Sequence, residues 1–173
     1  VNNLKPADRN VAMAFEGYAL YPPLTVRDNI AFSLMREKIS KEKVDSKVVE
    51  VAELLEITDI LERYPPSISG GQQQRVSLAR ALVRDSDALL LDEPMSQLEP
   101  QLRAVLRARV KDYIQHNNKT VIFVTHDQTE AVALADKIAV MENGDLKQLA
   151  SPYKISAKPV SYTHLRAHET QRN

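Results

Sequence analysis

The chain has 173 residues and no cysteine. A disulfide framework and a thiolate metal site are therefore excluded, and a reducing compartment is the expectation. Formal charge is also missing: 23 Lys and Arg balance 23 Asp and Glu. A general nucleic-acid binder carries a basic excess, so no nucleic acid is expected as a partner. No apolar run reaches the length of a membrane span. The opening VNNLKPADRN is polar, without the pattern of a secretory leader. Any membrane association is thus expected to come through a partner. Glycine is scarce, with four in all: Gly17, Gly70, Gly71 and Gly144. None precedes a Lys-Ser or Lys-Thr step, so no G-x-x-x-x-G-K-[ST] phosphate cradle is present.

The two ends stand apart from the rest. Val1 is not a methionine, and the expectation is a chain cut at its front. After about Pro159 the text SYTHLRAHETQRN has neither helical nor strand periodicity, and 160–173 is expected to be non-native. Residues 151–173 are taken as a tail.

Between the ends, periodicity gives an α/β pattern. Val11–Phe15 is a short apolar run, expected to be a buried strand. GYALYPPL is a loop, because Pro22-Pro23 cannot sit inside a helix. Thr25 is a candidate N-cap with Asp28 behind it, and its helix is expected to run to about Arg36. Val44, Val48, Val51, Ala52 and Leu55 recur at helical spacing. Ile60-Leu61 are expected in a short third helix that Pro65-Pro66 ends.

From Gly71 to Arg84 a helix turns Val76, Leu78, Ala79 and Leu82 inward. Ala88–Leu91 reads as a strand buried on both faces. Gln101–Gln115 is amphipathic, with Leu102, Val105, Leu106, Val110, Tyr113 and Ile114 on one side. Val121–Val124 is a second buried strand, and Asp127 with Glu130 opens the next helix. Ile138–Met141 is a third strand. Asn143-Gly144 is the strongest hairpin signal, and it leads into Leu146–Leu149. Alternating strands and helices in the back half imply a parallel sheet. The expected organisation is a partial α/β core at 1–16, a helical subdomain at 17–84 and the rest of the core at 85–150.

The chemistry concentrates in residues 68–94, ISGGQQQRVSLARALVRDSDALLLDEP. A strand ending in Asp92-Glu93 places one carboxylate to serve a metal and the next beside a reacting phosphate. At Ser69-Gly70-Gly71, backbone N–H groups of a helix N-terminus can face an anion. Each segment alone is ordinary: SGGQ as a helix cap, LLLDEP as a strand end, VTHDQ as a surface histidine. SGGQQQR, LLLDEP, SQLEP and FVTHDQTEA in one order at short spacing are not.

With these segments together, residues 9–150 resemble the nucleotide-binding subunit of an ATP-binding-cassette (ABC) transporter. FEGYALYPPLTVRDNIAF is most similar to the ATPases of bacterial sugar and polyol importers. The resemblance implies a partial P-loop NTPase-like parallel-sheet core with an all-helical insert carrying the signature motif. It implies ATP and Mg²⁺, with Asp92 holding the metal and Glu93 polarising the attacking water. His126 would be the switch histidine bonding the γ-phosphate. Ser69, Gly70, Gly71 and Gln72 would meet ATP held mainly by a second subunit, and Ser96 and Glu99 lie in the loop that crosses the dimer seam.

The chain departs from the family pattern at three places. Ile68 replaces the usual Leu, Glu99 the usual Asp, and Glu16 the usual Gln at the metal and lytic water. Glu16 can still coordinate a hard cation but, ionised, donates no hydrogen bond. The phosphate loop and the adenine-stacking aromatic would lie upstream of Val1, so the 173-residue chain is expected to bind Mg-ATP poorly by itself.

Implied partners are a second ATPase subunit, identical or not, and integral membrane permease subunits, with an extracytoplasmic solute-binding protein acting indirectly. The implied location is peripheral, on the cytoplasmic face of the inner membrane. Tyr18, Tyr21, Pro22, Pro23 and Leu24 are expected at the groove that meets the permease. Two alternatives remain: a non-hydrolytic partner subunit, with Glu16 and Glu99 marking a degenerate site, and an ABC ATPase outside transport. Arg75, Arg80, Arg84, Arg103, Arg107 and Arg109 are read equally well as solvated helix faces or as contacts.

Overall fold

The computed structural model describes residues 2–5, 8–15, 17–35 and 37–157. Glu16, Arg36 and the 160–173 tail lie outside the described residues. The chain divides into two compact units, which meet between His126 and Asp127.

The first unit is built on a parallel sheet in the order β1-β2-β3, formed by Val11–Ala14, Ala88–Asp92 and Val121–Val124. The register pairs Ala14 with Leu91, Leu91 with Phe123 and Asp92 with Val124. Between β1 and β2 the described residues form three α-helices and no strand: α1 (Val26–Phe32), α2 (Lys41–Leu54) and α3 (Gly70–Leu82). After β2 comes α4 (Pro100–His116).

Helix boundaries follow local chemistry. The Thr25 hydroxyl accepts the Asp28 amide at 3.1 Å and opens α1. This helix stops at Phe32, in place of the expected run to about Arg36, and turns follow it. Ser40 caps α2 in the same manner. The expected third helix at Ile60-Leu61 is a 3-10 turn, Thr58–Ile60. Pro65-Pro66 does not end it but begins another, because proline fits the first position of a helical turn. Tight turns of this kind make i→i+3 bonds, which the sequence window of an α-helix does not separate.

The core joins Ala12, Ala14, Leu89 and Leu91 to Val76, Leu78, Ala79 and Leu82 of α3, Val48 and Val51 of α2, and Leu106 and Val110 of α4. The strands are not buried on both faces as their apolar runs suggest. Leu89 and Leu91 are buried, whereas Met13, Ile122 and Val124 on the opposite face are 43%, 60% and 52% exposed. The helices of this unit pack on one face, and successive strand residues alternate faces. Val105, placed with the apolar side of α4 by periodicity, is likewise exposed.

The second unit holds α5 (Gln128–Leu134), the antiparallel pair β4 (Ile138–Glu142) and β5 (Asp145–Ala150), and α6 (Pro152–Ala157). Asp127 caps α5 by accepting the Thr129 amide at 2.7 Å. Asn143 and Gly144 both have positive φ, at 52° and 85°, as a two-residue hairpin turn requires. Ile138–Met141 therefore pairs with β5 in a hairpin, where alternation alone suggested another parallel strand. α6 adds a helical turn within the residues read as tail.

Candidate functional site

The carboxyl ends of β2 and β3 place the reactive side chains. Asp92 is the last residue of β2, in register with Val124. Glu93 follows with φ of 45°, in the left-handed region that a non-glycine residue seldom occupies. Two backbone bonds help hold it there. Its amide donates to the Val124 carbonyl at 2.9 Å, and its carbonyl accepts the Ser96 amide at 3.3 Å. The kink turns the carboxylate toward His126, whose Nδ1 lies 2.9 Å from Glu93 Oε1. The Glu93 side chain is 27% exposed and that of His126 73%, so the pair borders solvent. The imidazole and the carboxylate thus form one unit at the ends of β2 and β3.

Asp92 offers a hard oxygen donor. Among the described residues no group of three or more His, Cys, Asp or Glu is arranged to hold a metal ion. This donor set fits Mg²⁺, which binds through one or two carboxylates plus substrate phosphates and retained waters. It does not fit an all-protein metal cage. Glu16, the other residue read as a metal and cofactor contact, lies outside the described residues.

The glycine pair forms the first turn of α3. Ser69 is its N-cap, and the cap is reciprocal: Ser69 Oγ accepts the Gln72 amide at 3.3 Å, while the Ser69 amide donates to Gln72 Oε1 at 2.9 Å. In this conformation Ser69 and Gln72 are engaged with each other. Ser69 and Gly70 are exposed, and Gly71 is half-buried. A Cβ on Gly71 would meet the Gln97 carbonyl oxygen at 3.1 Å, so the absent side chain lets the Ser96–Glu99 loop approach the helix.

That loop is held at several points. Arg103 donates to the carbonyls of Ser96 at 3.2 Å and Leu98 at 2.9 Å. Glu99 is the N-cap residue of α4, exposed, with no capping bond from its side chain. Its added methylene relative to Asp thus meets no internal constraint within the described residues.

The arginines of α3, and Arg84 just after it, are contacts and not a solvated face. Arg75 donates to the Leu55 and Glu56 carbonyls, Arg80 to that of Ala19 and Arg84 to that of Val11. Burial lowers the pKa of Arg75 and Arg80, yet a guanidinium remains charged at any physiological pH. On α4, Arg109 pairs with Glu56 at 2.9 Å.

Two buried amides escaped sequence reading. Asn29 is fully buried; its Nδ2 donates to the carbonyls of Tyr21, Leu24 and Thr25, and its Oδ1 accepts the Tyr21 amide. It shapes the GYALYPPL loop from inside α1. That loop shows Tyr21, Pro22 and Pro23 at the surface, with Leu24 half-buried and the Tyr21 ring 4.7 Å from that of Phe32. Gln74, 2% exposed, joins α3 to Glu93 and the Ser96–Gln97 turn. An asparagine or glutamine on a helix gives no signal of burial in a single sequence; only its place on the apolar stripe hints at it.

Comparison with known proteins follows the same lines. A family model described as ABC transporter matches residues 2–96. The chain is 49% identical over 156 residues to the trehalose/maltose import ATP-binding protein MalK of Thermococcus litoralis, covering 90% of this chain and 42% of that protein. It is 44% identical over 161 residues to the sn-glycerol-3-phosphate import ATP-binding protein UgpC of Brucella abortus, covering 93% and 46%. The chain thus spans less than half the length of these relatives. Among solved structures it resembles the ATP-binding cassette MJ0796, in a dimeric post-hydrolysis state with ADP and Pi. The TM-score is 0.78 and the identity 26%, with 87% of this chain and 69% of the other covered.

Proposed function

Because the chain belongs to the ABC transporter family, we propose that the protein containing it hydrolyses ATP to drive solute import. The observation that carries this reading is the Glu93–His126 pair beside Asp92 at the ends of two adjacent parallel strands. The names of the relatives, import proteins for a disaccharide and for glycerol 3-phosphate, support a sugar or polyol-derived solute.

The chemistry is derived from residues at the site. Glu93 takes the proton of a water that attacks the γ-phosphorus, while the bond to the bridging oxygen breaks and ADP leaves with that electron pair. His126 Nδ1, 2.9 Å from Glu93 Oε1, orients the carboxylate, and the imidazole would donate a hydrogen bond to the γ-phosphate as the switch histidine of the family does. Asp92 would hold Mg²⁺ together with phosphate oxygens, and the metal supplies neutralisation of phosphate charge when bound. The Ser69-Gly70-Gly71 turn offers an N-terminal helix dipole and close backbone approach to the triphosphate of a second subunit. Gln72 is released to reach that nucleotide only if its capping bond to Ser69 opens. Ser96 and Glu99 would face the same seam.

The partners are then a second ATPase subunit and membrane permease subunits, served outside by a solute-binding protein. Among the described residues no helix is long and apolar enough to cross a membrane. The import reading locates the protein at the cytoplasmic face, held there by the permease.

Glu93→Gln in the full-length protein tests the reading. Hydrolysis is expected to fall on the order of 10²–10⁴-fold, the usual worth of a general base, with ATP binding retained. Unchanged turnover would favour the non-hydrolytic subunit. The 173-residue chain by itself, which has no phosphate cradle, is expected not to bind Mg-ATP at micromolar concentrations; calorimetric titration checks this.

A further inference from the structure

The buried side chain of Gln74 touches three groups that belong to different parts of the site. Its Nε2 donates to the Glu93 carbonyl at 3.0 Å and to Ser96 Oγ at 3.0 Å. Its Oε1 accepts the Gln97 amide at 2.9 Å. The partners fix the orientation of the amide: turned over, its oxygen would face the Glu93 carbonyl and its nitrogen the Gln97 N–H. At 2% exposure no water competes for these bonds.

The backbone of Glu93 needs such a tie. A non-glycine residue at φ of 45° is strained relative to the right-handed region, because its Cβ crowds the following carbonyl oxygen. It persists only where its surroundings over-determine it. The Val124 carbonyl holds the amide side of Glu93, and Gln74 with the Ser96 amide holds the carbonyl side. Gln74 is the one of these groups that sits on α3, whose first turn is Ser69-Gly70-Gly71. The other end of the same contact is the Gln97 carbonyl, 3.1 Å from the place of a Gly71 Cβ.

We infer that Gln74 is a positioning residue that makes the aim of the Glu93 carboxylate depend on the position of the signature helix. The inference rests on the proposed function, in which Glu93 activates water for one nucleotide and the Ser69 turn contacts another, held by the second subunit. A shift of α3 on docking that second nucleotide is carried by Gln74 to the peptide after Glu93. Each chain thereby relates one composite site to the other through a single side chain.

The test uses the full-length protein in its assembled transporter, with Gln74→Met, Gln74→Glu and Glu93→Gln. Methionine matches the volume of glutamine and removes all three bonds. Glutamate keeps the oxygen that accepts from Gln97, and its second oxygen can accept from the Ser96 hydroxyl. It loses only the bond to the Glu93 carbonyl. Both Gln74 variants are expected to lower kcat roughly tenfold or more, with KM for ATP changed less than about twofold.

A buried carboxyl favours its protonated form, and in that form it donates to the Glu93 carbonyl again. The ratio of Gln74→Glu to wild-type kcat is therefore expected to rise as pH falls, whereas the Gln74→Met ratio stays flat. A merely structural role would lower thermal stability and leave kcat per folded molecule unchanged; that result, or a flat Gln74→Glu ratio, overturns the inference. If Gln74→Met does not fold, the Gln74→Glu profile decides. If Glu93→Gln keeps full turnover, the water-activation reading falls and this inference with it. If Glu93→Gln abolishes turnover and both Gln74 variants match wild type, the inference alone falls.

Discussion

The Arg80 guanidinium lies over the face of Tyr21, 4.8 Å from the ring centroid, and also donates to the Ala19 carbonyl. Helix α3 is thereby fastened to the exposed GYALYPPL loop. A cation–π contact at a partly exposed site is worth about 0.5–2 kcal/mol. Tyr21→Asp replaces the ring with a carboxylate within reach of the same guanidinium, so the loop keeps its anchor. What disappears is the apolar surface that the loop shares with Phe32. Under the import reading, full-length Tyr21→Asp is expected to lose most transport while ATP hydrolysis stays within about twofold of wild type. Transport and ATPase assays on one reconstituted preparation check it. Surviving transport would remove the loop from the permease interface.

The two glycines in the first turn of α3 make a paired test. Neither has a positive φ, so sterics decide. On Gly70 a Cβ would come no closer than 3.7 Å, to the Tyr18 hydroxyl, an ordinary contact. On Gly71 it would press the Gln97 backbone carbonyl at 3.1 Å, and a backbone group cannot swing aside as a side chain can. Gly71→Ala is expected to destabilise by about 1–2 kcal/mol through overpacking. Gly70→Ala is expected to be neutral, or stabilising by up to about 1 kcal/mol, since alanine is the better helix former. Urea denaturation of the two full-length variants separates them. Equal stabilities would mean that the Ser96–Glu99 loop does not sit against α3 in solution.

The parts legible in the sequence were those with a local cause. Asp92-Glu93 closes an uninterrupted apolar run, so the strand end and its carboxylates could be placed without knowing the fold. Ser69 three residues before Gln72 is a capping pair, and Asn143-Gly144 names its own turn. The parts that were not legible depend on neighbours distant in sequence. Met13, Ile122 and Val124 read as core because they are apolar and β-forming, yet whether a strand face is covered depends on which elements pack there. Asn29 and Gln74 look like polar surface residues of helices; Asn29 is buried because the GYALYPPL loop folds back over it, and Gln74 because groups of the Glu93–Gln97 turn, far along the chain, converge on it. The positive φ of Glu93 also has no local signature, since no glycine or asparagine stands there.

Tyr113 gives the fold a measurable alkaline limb. Its hydroxyl donates to the Leu82 carbonyl at 3.2 Å, tying the end of α4 to the end of α3. Burial pushes this phenol up to about 12, with further push from Glu50 and Asp85. Lys43, Lys47, Arg84 and Lys119 line the same cleft. The folded-state value lies above the unfolded one of about 10. Stability from the neutral phenol is therefore whole below pH ~10 and is lost as pH rises through about 12. Tyr113→Phe forfeits the hydrogen bond, about 1 kcal/mol, but has nothing to ionise. At pH 8 the wild type is expected to be the more stable protein. Between about pH 10 and 12 the gap should close and reverse, because ionisation of the phenol penalises only the wild type. Urea midpoints for the pair across this pH series provide the check; a gap that stays constant would mean that the Tyr113 hydroxyl is solvated in the folded protein.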